Sequence, residues 1–328
     1  MEKRTLGRTG REIGVVGLGC WQLGGDWGEV PSGDALATLD AAVASGVTFL
    51  DTADVYGDGR SEQLVGQFLR ANPGAGLTVA TKMGRRADPH VAERYSEENF
   101  RAWTDRSRAN LGVDRIDLVQ LHCPPTPVYS RDEVFDALDR LVSEGRIAAY
   151  GVSVETVAEA LTAIARPGVA TVQIVLNAFR QKPLDEVLPA AAAAGVGIIA
   201  RVPLASGLLS GRYTESTEFA PDDHRTFNRH GEAFDVGETF GGVDFAAGVA
   251  AARELTPLVP AGATQAQLAL RWILDRDAVS TVIPGARSPE QARANAAAAA
   301  LAPLSAAATA QVRAVYDERI RPFVHGRW

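Results

Sequence analysis

The sequence predicts an α/β protein of the (β/α)8, or TIM, barrel class, with an N-terminal β-hairpin and an extra C-terminal helix, in a single domain over residues 1–328. Three observations predict it. Apolar runs of six to eight residues alternate with helix-like stretches, eight such units fit in about 300 residues, and the runs are apolar almost throughout. Continuous apolar runs mark strands buried on both faces of a parallel sheet. An open doubly wound sheet would show the same alternation and is the alternative. No Pro/Gly/Ser linker divides the chain, and the short connections argue for one domain.

The elements follow in order. Residues 3–16 read as two short strands around GRTG, a hairpin preceding the repeat. GVVGLG is the first barrel strand. With the residues after it, GVVGLGCWQLGG looks superficially like a dinucleotide fingerprint, but Gln22 stands where the third glycine belongs and no helix pattern follows, so that reading fails. The other strands are predicted at 46–51, 77–82, 116–122, 147–153, 170–177, 195–201 and 278–285. Helices are predicted at 34–45, 60–71, 97–111, 131–143, 155–166, 184–194, 263–275 and 288–299, with the extra helix at 304–319 and a tail RPFVHGRW. Residues 205–242, rich in Gly and charge, are too long for a plain connection and predict a lid or binding loop at the upper rim.

Composition narrows the function. With 46% hydrophobic and 22% charged residues the chain is ordinary globular material, and a formal charge of -7 without a Lys/Arg block gives no support for nucleic acid or an anionic membrane as partner. No apolar run approaches the roughly 18 residues of a spanning helix. Only Cys20 and Cys123 occur, and MEKRTLGRTG lacks the apolar core of a signal peptide, so a reducing, cytoplasmic setting without a structural disulfide is predicted.

Polar residues fall where such barrels build their sites, at the C-terminal ends of the strands. In FLDTADVYGDGRSEQLVG, Asp51 ends the second strand and Tyr56 follows in its loop; Lys82 ends the third strand and His122 the fourth. Each has a structural reading: a capped turn, a tyrosine packing with its hydroxyl out, a solvated strand end, a satisfied core imidazole. Four such coincidences at consecutive strand ends are better explained by one site. One His with one Asp is too thin a set for a metal, and none is predicted. A tyrosine titrates near ~10, so proton donation near pH 7 asks for a shift of roughly three units, about 4 kcal/mol. Lys82 is predicted to lower Tyr56 by that amount, Asp51 to orient Lys82, and His122 to bond a carbonyl oxygen. The quartet suits protonation of an oxyanion while a cofactor hydride attacks carbon.

These residues resemble the aldo-keto reductase superfamily from the hairpin to Asn295, most closely its bacterial and potassium-channel-β-like branches. The family's catalytic tetrad falls on Asp51, Tyr56, Lys82 and His122. The resemblance implies that Tyr56 is the general acid, tuned by Lys82 and Asp51, and that NADPH, with NADH second, supplies hydride. It also implies cofactor contacts: Trp21 and Asp51 at the nicotinamide end, and Ser153 of GVS with Gln173 on the carboxamide. Pro203, Leu204, Ser206, Gly207 and Leu209 of RVPLASGLLSG would wrap the pyrophosphate. Gly285, Arg287 and Gln291 would lie at the 2'-phosphate and ribose, and Asn295 near the adenine. Start-of-helix backbone donors would suit an anion there in any case.

Three positions depart from the family pattern: Val154 replaces an Asn, Arg201 a stacking aromatic, and Gly285 a phosphate-binding Lys. A fixed positive charge at Arg201 would disfavour the oxidised, cationic ring. Trp21, Trp27, Phe323 and Trp328 are candidates to wall the substrate pocket; Arg85 and Arg86 either meet an acidic substrate or are solvated loop charges. The function implied is reduction of an aldehyde or ketone, sugar-like in one version. The alternative is a nicotinamide-binding regulatory or sensor subunit. A barrel hydrolase or isomerase would need an acid pair or metal cluster that the sequence does not offer.

Overall fold

The computed structural model describes residues 1–24 and 30–328. β1 (Lys3–Thr5) and β2 (Glu12–Gly14) pair antiparallel as the hairpin. Its turn lies so close to the barrel floor that a Cβ on Gly7, at φ +48°, would come within 2.1 Å of the Gly197 backbone nitrogen. Arg4 donates to the carbonyls of Leu274, Arg276 and Val279, and Arg8 to those of Arg166, Pro167 and Val169, so the two guanidiniums tie the hairpin to helix and strand ends.

Eight strands follow: β3 (Leu18–Gly19), β4 (Phe49–Asp51), β5 (Thr78–Met83), β6 (Leu118–His122), β7 (Tyr150–Ser153), β8 (Val169–Val175), β9 (Gly197–Arg201) and β10 (Val279–Val282). They pair parallel in chain order, and the bridges Val16↔Val282 and Gly19↔Gly285 bring the first against the last. The fold is the predicted TIM barrel. Some predicted runs extend past their strands because the apolar sequence continues into the rim, as at 170–177 and 278–285.

Side chains alternate along a strand, and this period places the site. Phe49, Ala80, Leu118 and Ile199 share a buried cluster with Leu6 and Ile13 of the hairpin. Two residues further along the same strands stand Asp51, Lys82, Gln120 and Arg201. Apolar side chains thus fill the lower interior and polar ones the layer above.

The helices α1 (Ser32–Ala44), α2 (Arg60–Ala71), α3 (Glu97–Leu111), α4 (Asp132–Ser143), α5 (Val157–Ile164) and α6 (Val187–Ala194) alternate with these strands. α4 buries Val134, Phe135, Leu138 and Leu141 on one face, and α5 starts at a capping box between Thr156 and Glu159. Residues 205–242 form 3-10 turns and the single-turn α7 (His224–Phe227). Next comes α8 (Phe245–Leu255), which the alanine-rich sequence did not announce. α9 (Gln265–Leu274), α10 (Pro289–Ala297) and α11 (Ala306–Val315) lie where helices were predicted. Among the described residues no helix is long and apolar enough to cross a membrane.

Candidate active site

Asp51, Lys82 and His122 stand at the C-terminal ends of β4, β5 and β6, and Tyr56 in the turn after β4. Lys82, 1% exposed, donates from Nζ to Asp51 Oδ1 at 2.5 Å, to the Thr52 carbonyl at 3.0 Å and to the Tyr56 hydroxyl at 3.2 Å. Its three protons are thereby committed. Asp51 Oδ2 accepts from Gln173 at 2.8 Å and from Gln120 at 3.1 Å. The Tyr56 turn is fixed by close approach: a Cβ on Gly57, φ +59°, would lie 2.1 Å from the Gly24 carbonyl oxygen. The His122 ring meets Tyr56 edge-on, centroids 5.9 Å apart. The four predicted residues come together.

Their electrostatics differ from the prediction. Burial pushes the Tyr56 hydroxyl up to about 12; Lys82 pulls it down, and Asp51 and Glu238 push it further up. The anticipated fall toward neutrality is absent because burial of the phenol outweighs the pull of Lys82, part of which the Asp51 carboxylate beside the ammonium offsets. Burial opposes the charge on Lys82, but Asp51 and Tyr56 outweigh burial and its pKa rises. His122 is held well below the ordinary histidine value, first by burial and then by Arg85, Lys82 and Arg201, so the imidazole is neutral at physiological pH. Its buried Nδ1 has no partner among the described residues, and Arg85 Nη1 lies 3.4 Å from Nε2.

A cavity of about 420 Å³ runs from Tyr56, Asp51 and Trp21, past Gln173 and Arg201, along Pro203, Leu204, Ser206 and Gly207, to Gly285, Arg287, Gln291 and Asn295. Its middle is made of backbone in unusual conformations. Ser206 and Gly207 have φ of 52° and 97°, and a Cβ on Gly207 would meet the Tyr213 hydroxyl at 2.1 Å. Opposite, a Cβ on Gly285 would lie 2.0 Å from the Gln22 side chain, so the position that departs from the family lysine is packed against Gln22. At the far end Ser288 caps α10, Arg287 N donates to Gln291 Oε1 at 2.8 Å, and Asn295 Nδ2 to the Gly285 carbonyl at 3.1 Å. A long groove with a polar cradle in its middle and a helix N-terminus at one end has the donor chemistry for a dinucleotide.

Ser153 stands in register between His122 and Gln173 at the same rim, and the remaining candidates are spread around it. Ser153, 1% exposed, sits beside Cys123 with its Oγ 3.6 Å from the sulfur. Leu209 belongs to the hydrophobic core, and Phe323 is exposed at the surface. Trp328 is buried under the long loop: its ring lies 3.9 Å from the Arg180 guanidinium and its Nε1 donates to Asp235 at 3.0 Å. Trp21 stacks near Tyr56 with His224 and Phe234 of the loop beside it. Trp27 falls outside the described residues.

The loop also contributes charge. Glu238, 8% exposed, accepts from Arg85 at 2.8 Å and pairs with Arg201 at 3.5 Å, while its carbonyl accepts from Ser206 Oγ. Burial acts against its carboxylate, but Arg85 and Arg201 prevail and hold its pKa down at about 2. Arg85 is therefore neither a solvated loop charge nor an unengaged anion receptor; Arg86 pairs with Asp58. Arg201 is not the isolated cation the sequence suggested, since Glu238 faces it and its Nη2 donates to the Val154 carbonyl at 2.9 Å. Cys123, Glu155 and Glu238 bring ligand atoms within 4.8 Å of one another, but the Arg85 and Arg201 guanidiniums take the carboxylates there. Sequence reading missed Gln120 and Glu238. Gln120 carried a signal, a polar residue two before His122 in an apolar run; Glu238 carried none, because its partners are some 150 and 37 residues away.

Known proteins share this architecture. The model of the aldo/keto reductase family matches residues 15–317. The aldo-keto reductase YhdN of Bacillus subtilis is 30% identical over 299 residues, covering 90% of this chain and 87% of its own. The glycerol dehydrogenase of Gluconobacter oxydans superposes with a TM-score of 0.77 at 28% identity, covering 94% of this chain and 93% of that one. An aldo-keto reductase from Klebsiella pneumoniae, described in complex with NADPH, shares the fold with a TM-score of 0.71 at 24% identity, 96% of each chain being covered. With the family model spanning the barrel and the rim residues gathered at one end of the groove, the chain belongs to the aldo/keto reductase family and is an oxidoreductase of its bacterial branch.

Proposed function

We propose that the protein reduces an aldehyde or ketone to the alcohol with NADPH, and that Tyr56 donates the proton. The observation that carries this reading is the 3.2 Å contact of Lys82 Nζ with the hydroxyl of Tyr56, which lines the groove. With a pKa of about 12 the phenol is protonated throughout the physiological range, which is the form a donor needs. As the proton leaves for the carbonyl oxygen, Lys82 faces the phenolate and stabilises it, and Asp51, Gln120 and Gln173 keep Lys82 in place. Neutral His122 positions the carbonyl. A reduced nicotinamide dinucleotide bound in the groove supplies the hydride to carbon. Gln173, its amide nitrogen spent on Asp51 and Gln120, offers Oε1 to the carboxamide. Ser206 and Gly207 would cradle the pyrophosphate, and Arg287 and Gln291 the phosphate on the adenosine. A polyhydroxylated carbonyl suits the aromatic wall of Trp21 and Phe234 beside hydrogen-bonding Arg85 and His122, and the Gluconobacter relative is named for glycerol, a polyol.

The test is to follow the nicotinamide absorbance with NADPH, NADH and a panel of aldehydes, ketones and aldoses, for wild type and Tyr56→Phe. Turnover with NADPH that falls by at least a hundredfold in the variant is the expected result. Binding without turnover for every carbonyl would favour a regulatory subunit, and no binding of either cofactor would end the dinucleotide reading.

A further inference from the structure

Glu238 is carried by the long loop after β9, yet its carboxylate is buried at the barrel rim between Arg85 and Arg201. Arg201 lines the same end of the cavity as Tyr56, Asp51 and Gln173. If the groove holds a nicotinamide dinucleotide, as proposed above, the ring must sit at that end, because the carbon receiving hydride and the oxygen receiving the Tyr56 proton are bonded to each other. The oxidised ring carries a positive charge and the reduced ring none. A guanidinium on its own there would therefore discriminate between them.

We propose that Glu238 sets the cofactor's redox preference by cancelling the charge of Arg201 next to the nicotinamide, so that the oxidised form is retained only while the loop is docked. The charges around the site support this. Lys82, Arg85 and Arg201 are met by Asp51, Glu155 and Glu238, and Lys82 and Asp51 are spent on each other. Without Glu238, Arg85 keeps Glu155 at 3.5 Å, while Arg201 keeps as hydrogen-bond partners the Val154 carbonyl and the Cys123 sulfur, with Glu155 the remaining counter-charge that it shares with Arg85. At an effective dielectric of about 20, an uncancelled unit charge beside the ring changes the relative affinity of the two forms by about tenfold or more. The same loop segment is pinned by the chain end, through Trp328 on Asp235. Lifting it uncovers Arg201 and expels the oxidised cofactor in preference to the reduced one, a bias that helps turnover in the direction of carbonyl reduction.

The experiment measures dissociation constants of NADP+ and NADPH by titration of protein fluorescence, with no substrate present, for wild type, Glu238→Gln and Glu238→Gln with Arg201→Met. The expected result is that the NADP+/NADPH ratio of dissociation constants rises at least tenfold in Glu238→Gln and returns to within threefold of wild type in the double variant. A rise below threefold in the single variant overturns the proposal. So does a parallel loss of affinity for both forms that persists in the double variant, which would mean that Glu238 only holds the loop in shape. Wild-type protein that binds neither form would instead remove the dinucleotide reading on which the proposal rests.

Discussion

Lys82→Met tests the central claim about Tyr56. Lys82 Nζ is 3.2 Å from the phenol oxygen, and at an effective dielectric of about 20 a unit charge at that distance stabilises a phenolate by about 5 kcal/mol. Asp51, on the other side of the ammonium, offsets part of this and leaves about 3 kcal/mol, a loss of about a hundredfold or more in kcat. The substitution also strands a buried carboxylate, at a cost of about 3–5 kcal/mol. Gln120 and Gln173 soften that cost by their bonds to Asp51 Oδ2. Pairing Lys82→Met with Asp51→Asn separates the two effects: the double variant should regain thermal stability and stay inactive. The assay is NADPH oxidation with the best substrate of the panel, alongside thermal unfolding. A folded Lys82→Met protein with kcat within tenfold of wild type would refute the idea that the ammonium stabilises the phenolate.

Burial raises the carboxyl groups of Asp54 and Glu155 to about 7, with Glu62 adding to the first and Asp235 and Glu238 to the second. Each native carboxyl holds a proton that the unfolded chain has already released, so the stability these two groups contribute is fully present below the ordinary carboxylate range and is lost as pH rises toward 7. Asp54→Asn and Glu155→Gln should each flatten the dependence of Tm on pH between 5 and 8; an unchanged slope in both contradicts the assignment. Trp328→Ala removes a desolvated cation–π contact worth roughly 2 kcal/mol, and amide exchange at Gly237 and Glu238 should speed up about tenfold or more. Exchange there at the wild-type rate would show that the chain end does not hold the loop. Gly207→Ala places a Cβ against the Tyr213 hydroxyl at a left-handed backbone position, and NADPH affinity should drop at least tenfold with the barrel intact, read by titration and circular dichroism.

The barrel was legible because its strands are buried on both faces and therefore continuous in sequence, and the quartet was legible because each member ends a strand or begins a loop. Asp51 and Tyr56 lie five residues apart, so local sequence could join them. What local sequence could not supply was the balance of charge. The expectation for Tyr56 followed from one neighbouring ammonium, and failed because burial of the phenol outweighs that ammonium, part of whose field Asp51 offsets. The expectation for Arg201 failed likewise, since Glu238 comes from a loop whose path depends on α7, its 3-10 turns and the Trp328 anchor. α8 was missed because a strand–helix alternation provides one helix between β9 and β10, and α9 fills that place. Trp328 and Phe323 lie five residues apart in one tail, and only the fold decides that one is buried and the other exposed.

The pairing of the site's charges also bears on what it can accept. An acidic substrate needs a cation able to leave its present partner, and Arg85 would have to give up Glu238 at 2.8 Å inside a largely buried network. Breaking a buried pair costs about 3–5 kcal/mol, more than a carboxylate approaching from water regains in one new ion pair of comparable geometry. A hydroxyl asks for less: Arg85 can donate a further proton from its guanidinium while keeping Glu238, because the group carries five donors. The pairing of Arg85 with Glu238 thus predicts a preference for neutral, hydroxylated carbonyl compounds over acidic ones. A comparison of kcat/KM for glyceraldehyde and glyoxylate decides it, the neutral aldehyde being favoured by at least tenfold. A preference for glyoxylate would mean that Arg85 releases Glu238 during binding, and that the loop opens to let it do so.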